Sequence, residues 1–320
     1  MTTTRTPRAK GEAKALGARQ LDPGVSRFLK WLPTLVVFLI AFAWLIPAIG
    51  LLVASLRNWG ERQQAGWWTD VFTLEGWTLG AYRAALNASL NNSFLEGMFN
   101  SFAIAIPATL IPLLIAAWAA YAIIWMPFRG RTFVFFSLVA LLAIPAQVVL
   151  IPLLQGYATG VHLMLPLVDK TMTLFPDIGL AGTLPAVWLT HIGLAIPFAV
   201  FLLAISMLRL PQSLVDSARV DGASHSQIFW RIVLPLSAPA LAALGVLLFL
   251  WSWNDFLIAL TMIGGSNPAA LPATVKLGSI GVAADGPAIA AGAFIHSSVA
   301  IAVFLVLERY FVKGILISAD

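Results

Sequence analysis

Six apolar runs, each near the ~20 residues that a helix needs to cross a bilayer, constrain this chain more than any other feature. They fall at about 32–56, 100–124, 132–155, 185–207, 237–262 and 288–310. In lipid every backbone amide must find its partner within the protein, so runs of this length read as helices. The alternation expected of an outer-membrane barrel strand is absent. Of the 320 residues 60% are hydrophobic and 10% charged, whereas ordinary soluble domains are about 45–50% apolar. The expected fold is an all-α membrane protein of six transmembrane helices held in a lipid bilayer. The net charge of +5 is then a matter of topology, and no nucleic acid partner is expected.

Counting Lys and Arg between the runs sets the orientation. Residues 1–30 form a basic tail with seven: Arg5, Arg8, Lys10, Lys14, Arg19, Arg27 and Lys30. With that tail inside, Arg129, Arg131, Arg209, Arg219, Arg231, Arg309 and Lys313 join it on the cytoplasmic side, making fourteen. The opposite side holds five: Arg57, Arg62, Arg83, Lys170 and Lys276. The bias gives both termini inside. The tail lacks an apolar core and a small-residue cleavage site at secretory distance, so a retained first helix is expected rather than a cleaved signal. The membrane domain then covers 31–320. Among the outer loops, 57–99 carries Trp59, Trp67, Trp68 and Trp77 as interfacial aromatics, with an Asn-rich turn or cap at Asn87 to Asn92. The 156–184 loop is expected to hold a short interfacial helix, and 263–287 to be small and flexible.

One cytoplasmic segment, inside the loop 208–236, is unusually polar: Leu210 to Pro235 carries Asp216, Arg219, Asp221, His225 and Arg231. Pro211 suits a first helical turn, and Gly222 punctuates the helix about three turns later. Leu214 and Ala218 lie four apart, and Ile228, Phe229 and Ile232 form a second apolar stripe. The segment reads as helix, glycine turn, helix at the membrane surface. Ser217, Ala218 and Ala223 give its first helix a small-residue face for a partner.

Catalytic chemistry is not visible. No glycine-rich phosphate loop ends in Gly-Lys-Ser/Thr, the four histidines (His162, His191, His225, His296) are scattered without metal-ligand spacing, and the 0 cysteines rule out disulfides and thiolate sites. No enzyme activity, metal or cofactor is expected in this chain. Polar groups within the runs are costly unless they face a cavity or a partner. Trp251, Trp253, Asn254 and Asp255 in the fifth run combine aromatic faces with amide and carboxylate groups that suit sugar rings. Gln147, His191 (beside Thr190) and His296 are candidates for the same path. The bland alternative for each is a helix–helix hydrogen bond or an interfacial belt.

The spacing of the polar segment resembles the cytoplasmic signature loop of permease subunits of ATP-binding-cassette importers: Glu-Ala-Ala, three residues, Gly, nine residues, Ile, one residue, Leu-Pro. Here Asp216-Ser217-Ala218, Gly222, Ile232 and Leu234-Pro235 hold those places, with Glu replaced by Asp and one Ala by Ser. From about residue 30 onward the chain is similar to carbohydrate-importer permeases of the maltose-permease type. Phe72–Glu75 with Ala81-Tyr82, Asn100-Ser101, Ala119–Ala122, Phe128–Arg131, Ile232–Leu241, Trp253–Phe256 and Arg309–Gly314 carry that resemblance. Gly182-Thr183, Trp188–His191 and Ile196-Pro197 look like subunits that import α-glucosides and related glycosides. The ending Ile315–Asp320 departs from the small, glycine-rich ending usual in the group.

The resemblance implies a type I importer permease fold paired with a second, different permease subunit. It also implies two ATPase subunits, which would hold ATP and Mg, and an extracytoplasmic solute-binding protein that delivers the sugar. Leu214, Asp216, Ser217, Ala218, Arg219, Asp221, Gly222 and Ala223 would couple to the ATPase. Rival readings are an importer permease for another small polar solute, an ion-coupled secondary transporter, or a membrane-embedded enzyme or assembly factor. The secondary transporter would need mid-membrane ionisable groups and repeats that the runs do not show.

Overall fold

The computed structural model describes residues 23–57, 67–68, 76–87, 94–165, 170–283 and 286–316. The first 22 residues of the basic tail, Trp59, Phe72–Glu75, positions 88–92 of the Asn-rich patch and residues 317–320 lie outside the described residues. The chain divides into two compact units, Met1–Leu51 and Leu52–Asp320. The first holds most of helix α1 (Pro23–Leu56), in which Trp31, Phe38 and Trp44 are exposed along an apolar run.

The second unit continues with α2 (Gly80–Asn87), α3 (Phe94–Trp125), α4 (Arg131–Leu141) and α5 (Ala146–Thr159). Strands β1 (Val161–Leu165) and β2 (Lys170–Phe175) pair antiparallel before α6 (Leu184–Met207) and α7 (Gln212–Val220). Then come α8 (His225–Leu236), α9 (Ala238–Trp253), α10 (Leu257–Ile263), α11 (Ala273–Ala283) and α12 (Gly286–Leu316). Among the described residues four helices are long and apolar enough to cross a membrane: Trp31–Leu56, Phe94–Trp125, Leu184–Met207 and Gly286–Glu308. The bent pairs α4–α5 and α8–α9 bring the number to six.

Two runs expected as continuous helices are broken. The third, placed at 132–155, bends by 99° between α4 and α5. Pro145 lacks an N–H and holds extended backbone before α5, and it biases Ile144 away from helix. The α4 end tightens into i→i−3 hydrogen bonds from Leu142, Ala143 and Ile144. The fifth, placed at 237–262, is α9, which stops at Trp253; α10 follows after Asn254-Asp255-Phe256. Two outer loops also differ. The 156–184 segment holds a two-stranded hairpin rather than a short helix, with Thr171 and Thr173 alternating along β2 as a strand prefers. Among its described residues the 263–287 segment holds regular structure, a 3₁₀ turn at Pro268–Ala270 and α11.

The core is built on α3 against α6. Ala116, Ala117 and Ala120 belong to one buried cluster with Ala195, Ala199 and Ala204. Such small side chains let two backbones approach closely, and that packing drives helix association in lipid. Thr183 caps the start of α6, its hydroxyl accepting from the Ala186 N–H, with Pro185 in the first turn.

The other end of α3 receives the 268–276 segment. Asn100 Nδ2 donates to the carbonyls of Ala269 (2.6 Å) and Leu271 (3.1 Å), and Ser101 Oγ accepts from the Ala273 N–H (3.0 Å). Lys276, 0% exposed, pairs with Glu96 at 2.9 Å, as a buried ammonium must. Gly97 makes the approach possible: a Cβ there would meet Lys276 Cδ at 2.9 Å and Ala273 Cα at 3.1 Å. Gly97→Val is therefore expected to destabilise the fold by about 1–3 kcal/mol through overpacking. A lowered thermal unfolding midpoint of the purified protein in detergent checks this; an unchanged midpoint would contradict the packing.

Candidate functional site

The polar segment between α6 and α9 is a rigid double turn. Helix α7 ends in a Schellman arrangement: the Ala223 N–H donates to Ala218 O (2.9 Å) and the Gly222 N–H to Arg219 O (3.0 Å). Gly222 sits at φ +79, where L side chains are strained. Two residues later Ser224 opens α8 with a capping box. Its hydroxyl accepts from the Gln227 N–H, while Gln227 Oε1 accepts from the Ser224 N–H. Residues 229–233 of α8 form a π-helical turn in which the Leu234 N–H donates to Phe229 O. Such turns mark an inserted residue, frequently at functional sites.

Helix α7 turns a different face inward from the expected pairing of Leu214 with Ala218. Val215 is the anchor, buried in the α3–α6 cluster, and Ala218 and Ala223 pack against that same cluster. Their small size thus serves the chain's own core, and Leu214 points out. Exposed on the free face are Leu214, Asp216, Ser217, Asp221, Gly222 and, at 88%, Val220. Spacing does not single out Val220, because in a sequence rich in valine nothing marks one as outward. Asp221, Gly222, Ala223, Gln227 and Arg231 also border a polar groove of about 280 Å³.

Arg219 points back into the chain. Its Nη2 donates to Trp125 O at 2.5 Å, and Nη1 lies 3.5 Å from Asp216 Oδ1. Trp125 is the last residue of α3, so the guanidinium meets an orphan carbonyl at the negative end of a helix dipole. One turn earlier Tyr121 OH meets His225 Nδ1 at 3.0 Å, and Trp118 stacks on Phe229 at 3.9 Å.

The second candidate region is the break after α9. Asp255 stops the span because its carboxylate accepts from the N–H groups of Ile258 (3.2 Å) and Ala259 (2.9 Å), opening α10. His191 on α6, 1% exposed, places Nε2 3.6 Å from Asp255 Oδ2, and neither ring nitrogen makes a hydrogen bond among the described residues. The Trp251 ring stands edge-on to His191 at 5.6 Å. Trp251 also lines a mostly apolar cleft of about 690 Å³ between α5, α6 and α9, with Tyr157, Thr190 and Gly193. Thr190 Oγ1 lies 3.4 Å from Tyr157 OH. Nothing in the sequence points to Tyr157, which lies in a stretch that reads as loop, at the end of a run broken by Pro145.

The remaining expected path residues lie elsewhere. Trp253, 1% exposed, is a core residue: it stacks on His296 at 4.9 Å and on Phe249 at 5.4 Å, and its Nε1 donates to His296 O. His296 is buried in the same stack. Asn254 turns back to Leu250 O (2.8 Å), and Gln147 is exposed on α5, outside the cleft lining. Of the seven, the structure brings together His191, Trp251 and Asp255.

Gly222 faces open space, with nothing within 4 Å of the position a Cβ would take, so only its backbone restricts substitution. Gly222→Asn, which tolerates the left-handed region, is expected to keep the turn, whereas Gly222→Val costs about 1–2 kcal/mol. Faster amide hydrogen exchange across 212–228 in the valine variant alone checks it.

Residues 109–316 match the family described as binding-protein-dependent transport system inner membrane component. The chain is 40% identical over 297 residues to the osmoprotective compounds uptake permease protein GgtD of Synechocystis sp., covering 91% of this chain and 92% of that one. It is 41% identical over 269 residues to the alpha-glucoside transport system permease protein AglG of Rhizobium meliloti, covering 83% and 66%. It is 30% identical over 290 residues to the arabinooligosaccharides transport system permease protein AraQ of Halalkalibacterium halodurans, covering 91% and 96%. In fold it matches a crystal structure of a bacterial ABC transporter involved in the import of the acidic polysaccharide alginate. The TM-score is 0.67 at 17% identity, over 90% of this chain and 98% of that one. The broken spans, the helix–glycine–helix loop and the family match over more than half of its length agree: the chain belongs to the binding-protein-dependent transport system inner membrane components, as a multi-pass permease of the type I importer fold.

Proposed function

We propose that this chain forms one half of the membrane pathway of an ATP-driven importer of sugars or glycosides. A second, different permease subunit supplies the other half. Two ATPase subunits on the cytoplasmic side bind ATP and Mg, and an extracytoplasmic solute-binding protein delivers the substrate. The observation that carries this reading is the outward face of α7. A segment that is otherwise polar presents Val220 and Leu214 uncovered, beside a polar groove, on a helix closed at its C-terminal end by the Schellman bonds. An exposed apolar tip on a stiff, capped helix suits docking into a partner's cleft. The sugar assignment is supported by relatives that carry alpha-glucosides and arabinooligosaccharides by name.

In mechanism, closure of the ATPase dimer moves α7 and α8 as a body, and the spans re-pack between two discrete arrangements. Leu214, Ser217, Val220, Asp221 and Gly222 form the docking face, with Asp216 at its edge. On the substrate side, Trp251 offers an indole face at the cleft and Asp255 with His191 offers polar groups at the break. Sugar rings stack on indole faces and need hydrogen bonds at their edges.

Val220→Asp is expected to lower co-purification of the ATPase subunits at least tenfold while leaving the protein in the membrane; undiminished co-purification would remove Val220 from the docking face. Trp251→Ala is expected to lower uptake at least tenfold with the ATPase still attached. The reading as a whole is tested in nanodiscs, with the co-encoded subunits and a panel of α-glucosides, oligosaccharides and small osmolytes. Hydrolysis stimulated by a glycoside only with the binding protein present supports it. Stimulation by osmolytes alone replaces the substrate class, and uptake by this chain without an ATPase overturns the importer.

A further inference from the structure

We infer that α3 is the strut that carries motion of the cytoplasmic loop to the outer 268–276 segment, and that Arg219 is the residue that positions it. The inference rests on the importer reading above. Its basis is that the two polar connections attach to opposite ends of one helix. At one end, Arg219 bonds the terminal carbonyl of Trp125, Tyr121 meets His225, and Phe229 stacks on Trp118. At the other, Glu96 pairs with Lys276, Asn100 holds Ala269 and Leu271, and Ser101 takes the Ala273 N–H. The outermost attachments, at Glu96 and Trp125, lie 29 residues apart on the unbroken α3, about 44 Å at the rise of an α-helix. Pro107 and Pro112 lie inside it without ending it.

The attachments differ in kind from ordinary packing. Apolar contacts can slide, whereas hydrogen bonds to backbone carbonyls and an ion pair on a buried lysine fix both distance and direction. The Arg219 bond reaches a carbonyl that has no helical partner, so losing it leaves the end of α3 tied to the loop by side-chain contacts and one hydroxyl. Arg219 therefore acts through Trp125 rather than by touching substrate or nucleotide.

The test uses the assembled complex in nanodiscs, this chain having no cysteine of its own and its partners being made cysteine-free. Spin labels at Ala269→Cys, on the outer turn, and Val148→Cys, on α5, report their separation by pulsed electron resonance, without nucleotide and after vanadate trapping of Mg-ATP. The unaltered complex is expected to show a trapping-dependent distance shift. Arg219→Ala is expected to cut that shift to less than half per trapped nucleotide. Arg219→Lys, which keeps a donor for Trp125 O, restores most of it, and Tyr121→Phe lowers it partially. Should Arg219→Ala fail to assemble, Tyr121→Phe decides, since it removes only a hydroxyl. An equal shift in unaltered, Arg219→Ala and Tyr121→Phe complexes overturns the strut, as does the absence of any shift with nucleotide trapped. Failure of any ATPase to join the unaltered complex overturns the importer reading instead, and the inference falls with it.

Discussion

The close approach of α3 and α6 through facing alanines is the contact on which the rest of this protein hangs. Without a hydrophobic drive between helices in lipid, association depends on backbones coming near enough for dispersion to accumulate. Ala116, Ala117 and Ala120 against Ala195, Ala199 and Ala204 provide that. The same cluster takes in Val215, Ile228, Phe229 and Val233 of the polar loop. The loop is thus not a tether between two spans but an extension of the core beyond the membrane. His191, four residues before Ala195 on α6, is held at the break after α9 by the same packing.

The irregular backbone follows one rule. A break at membrane depth is tolerated only where its freed polar groups are satisfied by protein. At 142–145 the satisfaction is local, through i→i−3 bonds. At 254–256 it comes from side chains: Asn254 takes a carbonyl behind it and Asp255 the amides ahead. That capping duty explains why Asp255 can sit beside an apolar cleft, and it places a carboxylate next to His191 and Trp251 without a long-range search.

Much of this is legible in the residues. Run length marks six membrane segments, and the Lys and Arg bias assigns the 208–236 and 263–287 segments to opposite sides. The structure attaches those two segments to opposite ends of α3, at Tyr121 and Trp125 and at Glu96 to Ser101. Gly222 signals a turn that is a Schellman end, and a capping box at Ser224, which the pattern does not single out, follows it. What escapes is instructive. Pro145 is hidden by the apolar residues around it, since hydropathy averages over a breaker that acts at one backbone position. Trp253 and Trp251 are two apart in one motif, yet one is core and the other lines the cleft; helical phase separates them, and composition does not. Lys276 counts among outer-loop charges, and nothing local to it announces a Glu96 partner 180 residues earlier.

The π turn at Phe229–Val233 gives the spacing of this loop a further meaning. Each residue of an α-helix advances the chain by about 100°, and a π turn is one extra residue absorbed without unwinding. Winding the same residues as plain α-helix would swing everything before it by that angle. Phe229 would leave Trp118, and the free face of α7 would aim elsewhere. The nine residues between Gly222 and Ile232 are therefore an azimuth rather than a length. A sequence could drift at nearly every one of those positions and keep its bearing, so long as the turn went on absorbing its one extra residue.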